Sequence, residues 1–313
     1  MSKLLVILGA TGNQGGSVIR SILADPQAKS QFSLRGITRD PSSAKSQKLS
    51  SQGVDLVKAD LDDTESLKRA FEGAHGVFAV TDFWSLGDNA KERETQQGKN
   101  IGDAAKAAGV KHLVYSMLYN VNDATKGRLS KVYHFDSKAD AADYIDSLGV
   151  PNTKFMPGYF LSNFVTGFNP NPQTGALTQF IPISPSSKVP IFDAEADTGK
   201  FVKAIFLKPD QTLGKHIKAA TAYLTYDEIA STLAKLRPTK AKGASAVQIP
   251  RENFLQALEG RGMPQAIAED LTQMFEFIEN PGYFRGEQLS TDILDEPATT
   301  WEQFIEKTQQ WNE

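Results

Sequence analysis

Apolar residues fall into two alternating rhythms along the first half of the chain. Short β-type runs at Leu4–Leu8, Phe32–Thr38, Val54–Lys58, Val77–Thr81, His112–Ser116 and Thr153–Met156 are separated by helical spacing at Ser17–Ala24, Thr64–Phe71, Lys91–Ala108 and Phe135–Leu148. Strands that alternate with helices predict a parallel sheet covered on both faces. Gly73, Gly109 and Gly149 each stand just behind a helix, where a left-handed residue commonly ends it. After Pro157 the rhythm changes. Turn-rich Asn169–Pro172 and Ile181–Pro185 precede a lone strand–helix unit at Lys188–Leu207, a further strand is predicted at Ile217–Ala220, and helices at Tyr226–Lys235, Asn253–Glu279 and Thr300–Gln310. The expected organisation is therefore discontinuous. Residues 1–158 form a nucleotide-binding part to which late elements around 188–224 return, and 159–187 with about 225–313 form a smaller α+β substrate or partner part.

The first strand runs into Gly9-Ala-Thr-Gly12-Asn-Gln-Gly15-Gly16 and then into helical spacing. Gly9 turns the chain out of the strand, Gly12 lets backbone approach a pyrophosphate, and Gly15 or Gly16 lets the helix pack on the sheet. The helix N-terminus adds free N–H donors and a positive dipole end, so Thr11, Asn13 and Gln14 join the glycines as candidate cofactor residues. This context makes the fold class α/β, a Rossmann doubly wound parallel sheet with a second, smaller α+β domain.

Such a sheet binds its ligand beyond the carboxyl ends of its strands, so the residues after each strand belong together. Arg39 offers a planar donor fork for a 2′-phosphate, which points to NADP(H); Asp40 offers the competing reading of a ribose-hydroxyl ligand. Asp60 and Leu61 stand where an adenine would lie, with Asp62 or Asp63 able to cap the next helix. Thr81, Phe83 and Trp84 bring a hydroxyl and two rings to the edge, to close over a nicotinamide or to pack the loop. Ser116 ends strand five, and Lys138 lies on the helix that follows. In short-chain dehydrogenases a serine and a Tyr-x-x-x-Lys pair carry the proton chemistry. Here the residue four before Lys138 is His134, and Tyr133 is rotated about 100° around the helix. Candidate catalytic residues are thus Lys138, Ser116 and His134, with Lys138 also a ribose ligand.

Composition narrows the picture. The chain has 313 residues, 40% of them hydrophobic, a net charge of −3 and no cysteine. Disulfides and thiolate catalysis are excluded, and no general attraction to nucleic acid or anionic lipid is expected. The basic cluster Lys235–Lys242 reads as a solvated helix end. Four scattered histidines argue against a metal site. The N-terminal apolar run is only a strand's length, so no leader is expected, nor any membrane span, and the expected location is cytoplasmic, with the nucleus as a second compartment. No heptad or apolar seam fixes an oligomeric state.

Taken together, these motifs, with Glu94-Thr-Gln-Gln-Gly-Lys99, His134-Phe-Asp-Ser-Lys138 and Pro157-Gly-Tyr-Phe-Leu-Ser-Asn163, resemble the NmrA-like family of atypical short-chain dehydrogenases over most of the chain. The resemblance implies NADP(H), Lys138 near the nicotinamide ribose, and Pro157, Tyr159 and Phe160 beside the nicotinamide. It also implies two functional branches. One is a redox-responsive regulator that binds a protein partner, in which the dinucleotide orders loops at Phe83–Asn89 and Leu118–Lys131. The other is a reductase of a small enone, imine or carbonyl compound that uses Lys138 as acid or base; Ser116 or Tyr159 could assist, and the aromatic clustering at the cofactor edge offers Phe83, Trp84, Tyr159, Phe160 and Phe164 as a pocket wall, with core packing the alternative for the last three.

Overall fold

Successive residues of the first strand face opposite ways, Leu5 and Ile7 into one layer of the core and Val6 and Leu8 into the other. The computed structural model describes residues 2–312; Met1 and Glu313, the outer ends of the two expected parts, lie outside the described residues. Strands β1 (Lys3–Ile7), β2 (Phe32–Thr38), β3 (Asp55–Lys58), β4 (Gly76–Ala79), β5 (His112–Ser116) and β6 (Asn152–Pro157) are interleaved with helices α1 (Asn13–Ala24), α2 (Pro26–Gln31), α3 (Ala44–Ser51), α4 (Thr64–Phe71), α5 (Ala90–Ala107), α6 (Val121–Ala124) and α7 (Tyr133–Ser147). The second half adds β7 (Tyr159–Phe160), α8 (Ser162–Gly167), β8 (Asn169–Pro170), β9 (Leu177–Ile181), β10 (Lys188–Phe192), α9 (Ala194–Leu207), α10 (Pro209–Thr212), β11 (His216–Ala219) and β12 (Ala222–Thr225). It ends with α11 (Tyr226–Leu236), β13 (Ser245–Gln248), α12 (Arg251–Glu259), α13 (Gln265–Glu279) and α14 (Trp301–Lys307).

The main sheet has seven strands in the order β11-β6-β5-β4-β1-β2-β3, and every pairing within it is parallel. Its strand order reverses between β1 and β4, the place where such a sheet opens a crevice. One face is covered by α4, α5 and α7 and the other by α1 and α9. Close approach on both faces depends on glycine. A Cβ on Gly199 of α9 would lie 2.2 Å from the Ser17 carbonyl oxygen of α1, and one on Gly98 of α5 would lie 2.3 Å from the Ala141 Cβ of α7 and 2.6 Å from the Tyr115 hydroxyl.

β11 returns to the main sheet, as its apolar run predicts. The strand at Lys188–Phe192 does not. It pairs with β7 and β12 in a second, three-stranded sheet, while a third sheet joins β13, β9 and β8. The long helical stretch expected at Asn253–Glu279 is broken into α12 and α13 by Gly260–Pro264, where Gly262 has φ +85°. α2 and α3 escape the hydrophobic pattern because they are short and polar, with Ala28 and Ser46 their respective buried residues. Among the described residues no helix is long and apolar enough to cross a membrane. Arg237, in the basic cluster, donates to the Ile305 and Glu306 carbonyls near the end of α14.

The α5–α7 contact leaves no room for a methyl group at residue 98. Gly98→Ala should therefore destabilise the protein by about 1–3 kcal/mol, read as a lower urea midpoint at an unchanged slope.

Candidate functional site

The carboxyl ends of β1, β2, β4, β5 and β6 open into one cleft of about 1390 Å³ that continues toward α8, β9, α12 and α13. At its floor Gly9 takes φ +62°, in the left-handed region. A Cβ on Gly15 would lie 2.3 Å from the Gly9 carbonyl oxygen and 2.4 Å from that of Leu8, whereas one on Gly16 would meet nothing nearer than 3.2 Å. Gly15 is thus the residue that lets α1 seat against the turn. α1 begins at Asn13 without a side-chain cap, so its first N–H groups remain available to an anion.

Beyond the end of β2 the two candidate ligands, Arg39 and Asp40, differ in what they already bind. The Asp40 carboxylate accepts from the Ser42 hydroxyl at 2.5 Å and the Ser42 N–H at 2.9 Å, and these bonds hold its pKa below the ordinary value. Arg39 is exposed and makes no hydrogen bond or ion pair among the described residues, so its guanidinium is the group free to bind a phosphate. A smaller depression of about 290 Å³ behind it brings Lys58 and Arg69 to the same region. Asp63 is the cap of α4, accepting from the Glu65 and Ser66 N–H groups. Asp62 instead faces α5, where it accepts from Gln97 at 2.9 Å and Arg93 at 3.2 Å. Asn100 of the same helix donates to the Leu61 carbonyl at 2.8 Å, so α5 braces the Asp60–Leu61 wall.

At the opposite end α7 carries His134 and Lys138 one turn apart. Lys138 is paired with Glu94, a fully buried carboxylate of α5 that also accepts from Ser137. His134 is paired through Nδ1 with Asp270 of α13, also fully buried, whose other oxygen accepts the His134 backbone N–H at 3.1 Å. Asp270 therefore fixes the ring and caps α7, which has no cap of its own. With Nδ1–H committed to a carboxylate, Nε2 is the nitrogen left for a ligand, and it has no partner among the described residues. The ring packs 4.8 Å from Trp84 and 6.0 Å from Phe83, centroid to centroid, so the two aromatics form a wall over the histidine. Tyr133 does not line the cleft; it packs against the Phe83–Leu86–Ala90 cluster under Lys91.

Gly9, Thr11, Gly12, Asn13, Gln14, Gly15, Arg39, Asp60, Leu61, Thr81, Phe83, Trp84, Ser116, His134, Lys138, Pro157, Tyr159 and Phe160 all line the cleft. Ser116 donates to Gln14 at 3.0 Å, tying the end of β5 to the glycine turn. Burial pushes the Tyr159 phenol up, which makes it a poor proton donor. Phe164 is the exception among the expected wall residues. It is fully buried between Tyr159, Tyr226 and Trp301, in the core beneath the cleft. The Leu118–Lys131 loop is stitched down rather than free: Asp136 accepts from the Val121 N–H, Gln273 from that of Lys131, and Arg128 donates to the Asn280 carbonyl. Sequence reading did not single out Asp270, or assign Glu94 a role. Both are acidic residues on otherwise apolar or small-residue helix faces, Asp270 four and seven before Met274 and Phe277, and Glu94 between Ala90 and Gly98.

The family model for the NmrA-like family matches residues 1–312. The chain belongs to the NmrA-like family. It is 32% identical over 308 residues to the NmrA-like family domain-containing oxidoreductase ptmS of Penicillium ochrochloron, an alignment covering 93% of this chain and 88% of that protein. Among solved structures, NmrA, a negative transcriptional regulator in complex with NADP, superposes with a TM-score of 0.78 at 23% identity over 98% of this chain and 95% of its own. An NADPH-dependent quinone oxidoreductase of Escherichia coli complexed with NADPH gives 0.74 at 23% identity, over 97% and 98%. The two superpositions share the NmrA-like fold and divide between a regulator and an enzyme.

Asp136, which anchors the 118–131 loop, has its pKa pushed up to about 6 from 3.8 by burial, against the Val121 and Asn122 N–H groups, with Lys91 and Asp140 nearby. The folded protein then holds this proton more tightly than the unfolded chain, so it gains stability as pH falls through about 6 toward 4. The difference in Tm between Asp136→Asn and wild type should accordingly become less positive between pH 8 and pH 5; a pH-independent difference would contradict this.

Proposed function

We propose that this protein is an NADPH-dependent reductase of a small, largely apolar carbonyl, enone or imine compound, with His134 as its proton donor. The observation that carries this reading is the His134–Asp270 pair: a histidine oriented by a buried carboxylate, with Nε2 unengaged in the cleft and Lys138 one turn away. The residues at the other end suit the cofactor. A turn closed by Gly15, open N–H groups at α1 and an unpaired Arg39 are what a pyrophosphate and a 2′-phosphate require.

On this reading the glycine turn holds the pyrophosphate, Arg39 the 2′-phosphate, Asp60 and Leu61 the adenine, and Lys138 the nicotinamide ribose, with Pro157, Tyr159 and Phe160 beside the nicotinamide. The bound dinucleotide supplies two electrons and a hydrogen to the substrate carbon. The chain's own contribution is to place the acceptor and to deliver the matching proton. Charged His134 gives it from Nε2 to the substrate oxygen, nitrogen or α-carbon, while Asp270 keeps Nδ1–H in place. Lys138 is committed to Glu94 and acts as a binding group rather than the acid. The proposed division follows: residues up to about 158 hold the dinucleotide, and the later helices close the substrate end.

A second reading, the redox-responsive regulator, is favoured by Trp84, which is 53% exposed at the cleft rim and packs at a tilt of 42° against His134, so that a partner protein can sense what the cleft holds. The NADP-bound regulator with the same fold supports it by analogy.

Two measurements separate these readings. With 4R- and 4S-deuterated NADPH and a panel of aldehydes, enones and cyclic imines, a reductase transfers label to product from one face. His134→Phe should then lower kcat by about 10²–10⁴-fold with NADPH affinity within a few-fold of wild type. Absence of label in every product, with tight NADPH binding, refutes the enzyme. Arg39→Ala should weaken NADPH by at least about tenfold and leave NADH nearly unchanged in calorimetry; equal losses would remove Arg39 from the 2′-phosphate site.

A further inference from the structure

Helix α12 has no buried residue, although Phe254, Ala257 and Leu258 run along it as an apolar stripe. That stripe lines the cleft, together with Leu271, Met274 and Phe275 of α13. Phe254 packs 5.3 Å from Phe275, centroid to centroid, and Gly260–Pro264 lead the chain from the end of α12 back to the start of α13, so the two helices run antiparallel. The stripe continues past the helix end. Gly260 keeps helical dihedrals, φ −63° and ψ −18°, and residues 254, 257, 258 and 261 recur at the spacing of one helix face. Arg261 thus closes the stripe at its outer end, about 10 Å from Phe254 along the axis, and it too lines the cleft.

The charge of Arg261 is unanswered. Its guanidinium is exposed and makes no hydrogen bond or ion pair among the described residues. The carboxylates of α13 are committed elsewhere: Glu269 and Glu276 pair with Arg251, Glu269 also accepts from Gln273, Asp270 holds His134, and Glu279 accepts from the Ser184 N–H. Of the cleft-lining residues from Asn163 to Phe275, Arg261 alone is charged. The exposed carboxylate of the rim, Asp82, stands two residues before Trp84 on the loop after β4, at the nucleotide end. A second unpartnered donor lies on β9. Gln179 is only 4% exposed, its Oε1 is sealed in protein, and its Nε2 keeps accessible surface in the cleft with no partner among the described residues. An apolar stripe that ends on a free guanidinium, with a nearly buried amide N–H also unmet, fits a molecule with an apolar body and acceptor oxygens.

We propose that the outer end of the α12 stripe is an anion subsite, in which Arg261 binds the carboxylate of an otherwise apolar substrate whose body lies against Phe254, Leu258 and Leu271. The subsite deepens the reductase reading by making the substrate a carbonyl acid. It rests on that reading only for what becomes of the molecule; recognition itself needs no turnover. A carboxylate accepts two parallel N–H bonds from the planar fork, whereas the methyl ester of the same acid presents the same apolar body without the charge.

The test uses two matched pairs of different length, 4-formylbenzoate and 4-formylcinnamate, each with its methyl ester. Each compound is titrated by calorimetry into full-length protein saturated with NADP+, so that the nucleotide end is filled and no reduction occurs. The acid of at least one pair should bind about fivefold more tightly than its ester at low salt, and the preference should shrink in roughly 0.5 M salt. In Arg261→Met it should fall to about twofold or less, with NADP+ affinity unchanged as the check on folding. Arg261→Lys, which keeps the charge, should retain a preference for the acid. Equal affinities within both pairs in the wild type, no binding by any of the four, or a preference that survives in Arg261→Met would each overturn the proposal. Reduction is scored separately with deuterated NADPH. Acid preference with no label in any product leaves the subsite standing and counts against the reductase, and labelled products with equal affinities within both pairs do the reverse.

Discussion

Glu94 is a carboxylate buried completely between α5 and α7, and the arrangement of the whole site follows from how its charge is met. Left unpaired, such a group costs several kcal/mol. Lys138 and Ser137 of α7 both reach it, and the two helices touch closely enough for this only because residue 98 has no side chain. The pairing fixes the register of α7 against α5. That register then spreads, because α5 also carries Arg93, Gln97 and Asn100, which hold the Asp60–Asp62 wall, while α7 carries His134. One helix pair thus sets the spacing between the Asp60–Asp62 wall and the His134–Lys138 end of the cleft.

A second buried carboxylate completes the site from the other half of the chain. Asp270 lies on α13, and its two oxygens serve the His134 ring and backbone separately. Gln273, three residues on, accepts from Lys131 just ahead of α7. The N-terminus of α7, with its unsatisfied N–H groups and positive dipole end, is therefore finished by residues that arrive late in the sequence. The glycine turn is local, but the His134 end of the cleft is completed only when α13 docks. Buried pairs of this kind contribute little net stability against an apolar alternative, and what they supply is position.

Local signals made the nucleotide half of the fold legible. Continuous apolar runs mark strands buried on both faces, the glycine turn has a strand before it and a helix after it, and Arg39 follows the second strand directly. Each of these is decided within about ten residues. What escaped depends on pairing across the chain. Lys188–Phe192 reads as a strand, yet nothing in its own residues says whether it joins β6 or β7. Phe164 reads as a wall residue because it follows the Pro157–Phe160 turn, but Tyr226 and Trp301, far along the chain, close over it. Asp270 meets His134 across 136 residues, and no spacing rule connects them. The signal that was present is of another kind: an acidic residue on an apolar helical stripe is a misfit that some partner must answer. Read that way, Glu94 and Asp270 are both visible, though not the identity of what pairs with them.

On the reductase reading, the same two carboxylates account for how a histidine could stand where short-chain dehydrogenases carry a phenol. A tyrosine one turn before Lys138 would rely on a nearby lysine charge to become an effective acid or base. Lys138 has its charge matched by Glu94, which lessens what it can offer a neighbour. A histidine has no such need, since it asks chiefly to be held in one orientation. Asp270 supplies that orientation from a different helix, independently of the lysine. On the reductase reading the work is therefore split between two pairs, Glu94 with Lys138 for binding the dinucleotide and Asp270 with His134 for the proton. Because α13 carries both Asp270 and, in Leu271, Met274 and Phe275, apolar residues that line the cleft, on that reading the element that orients the histidine would also shape what the histidine can protonate.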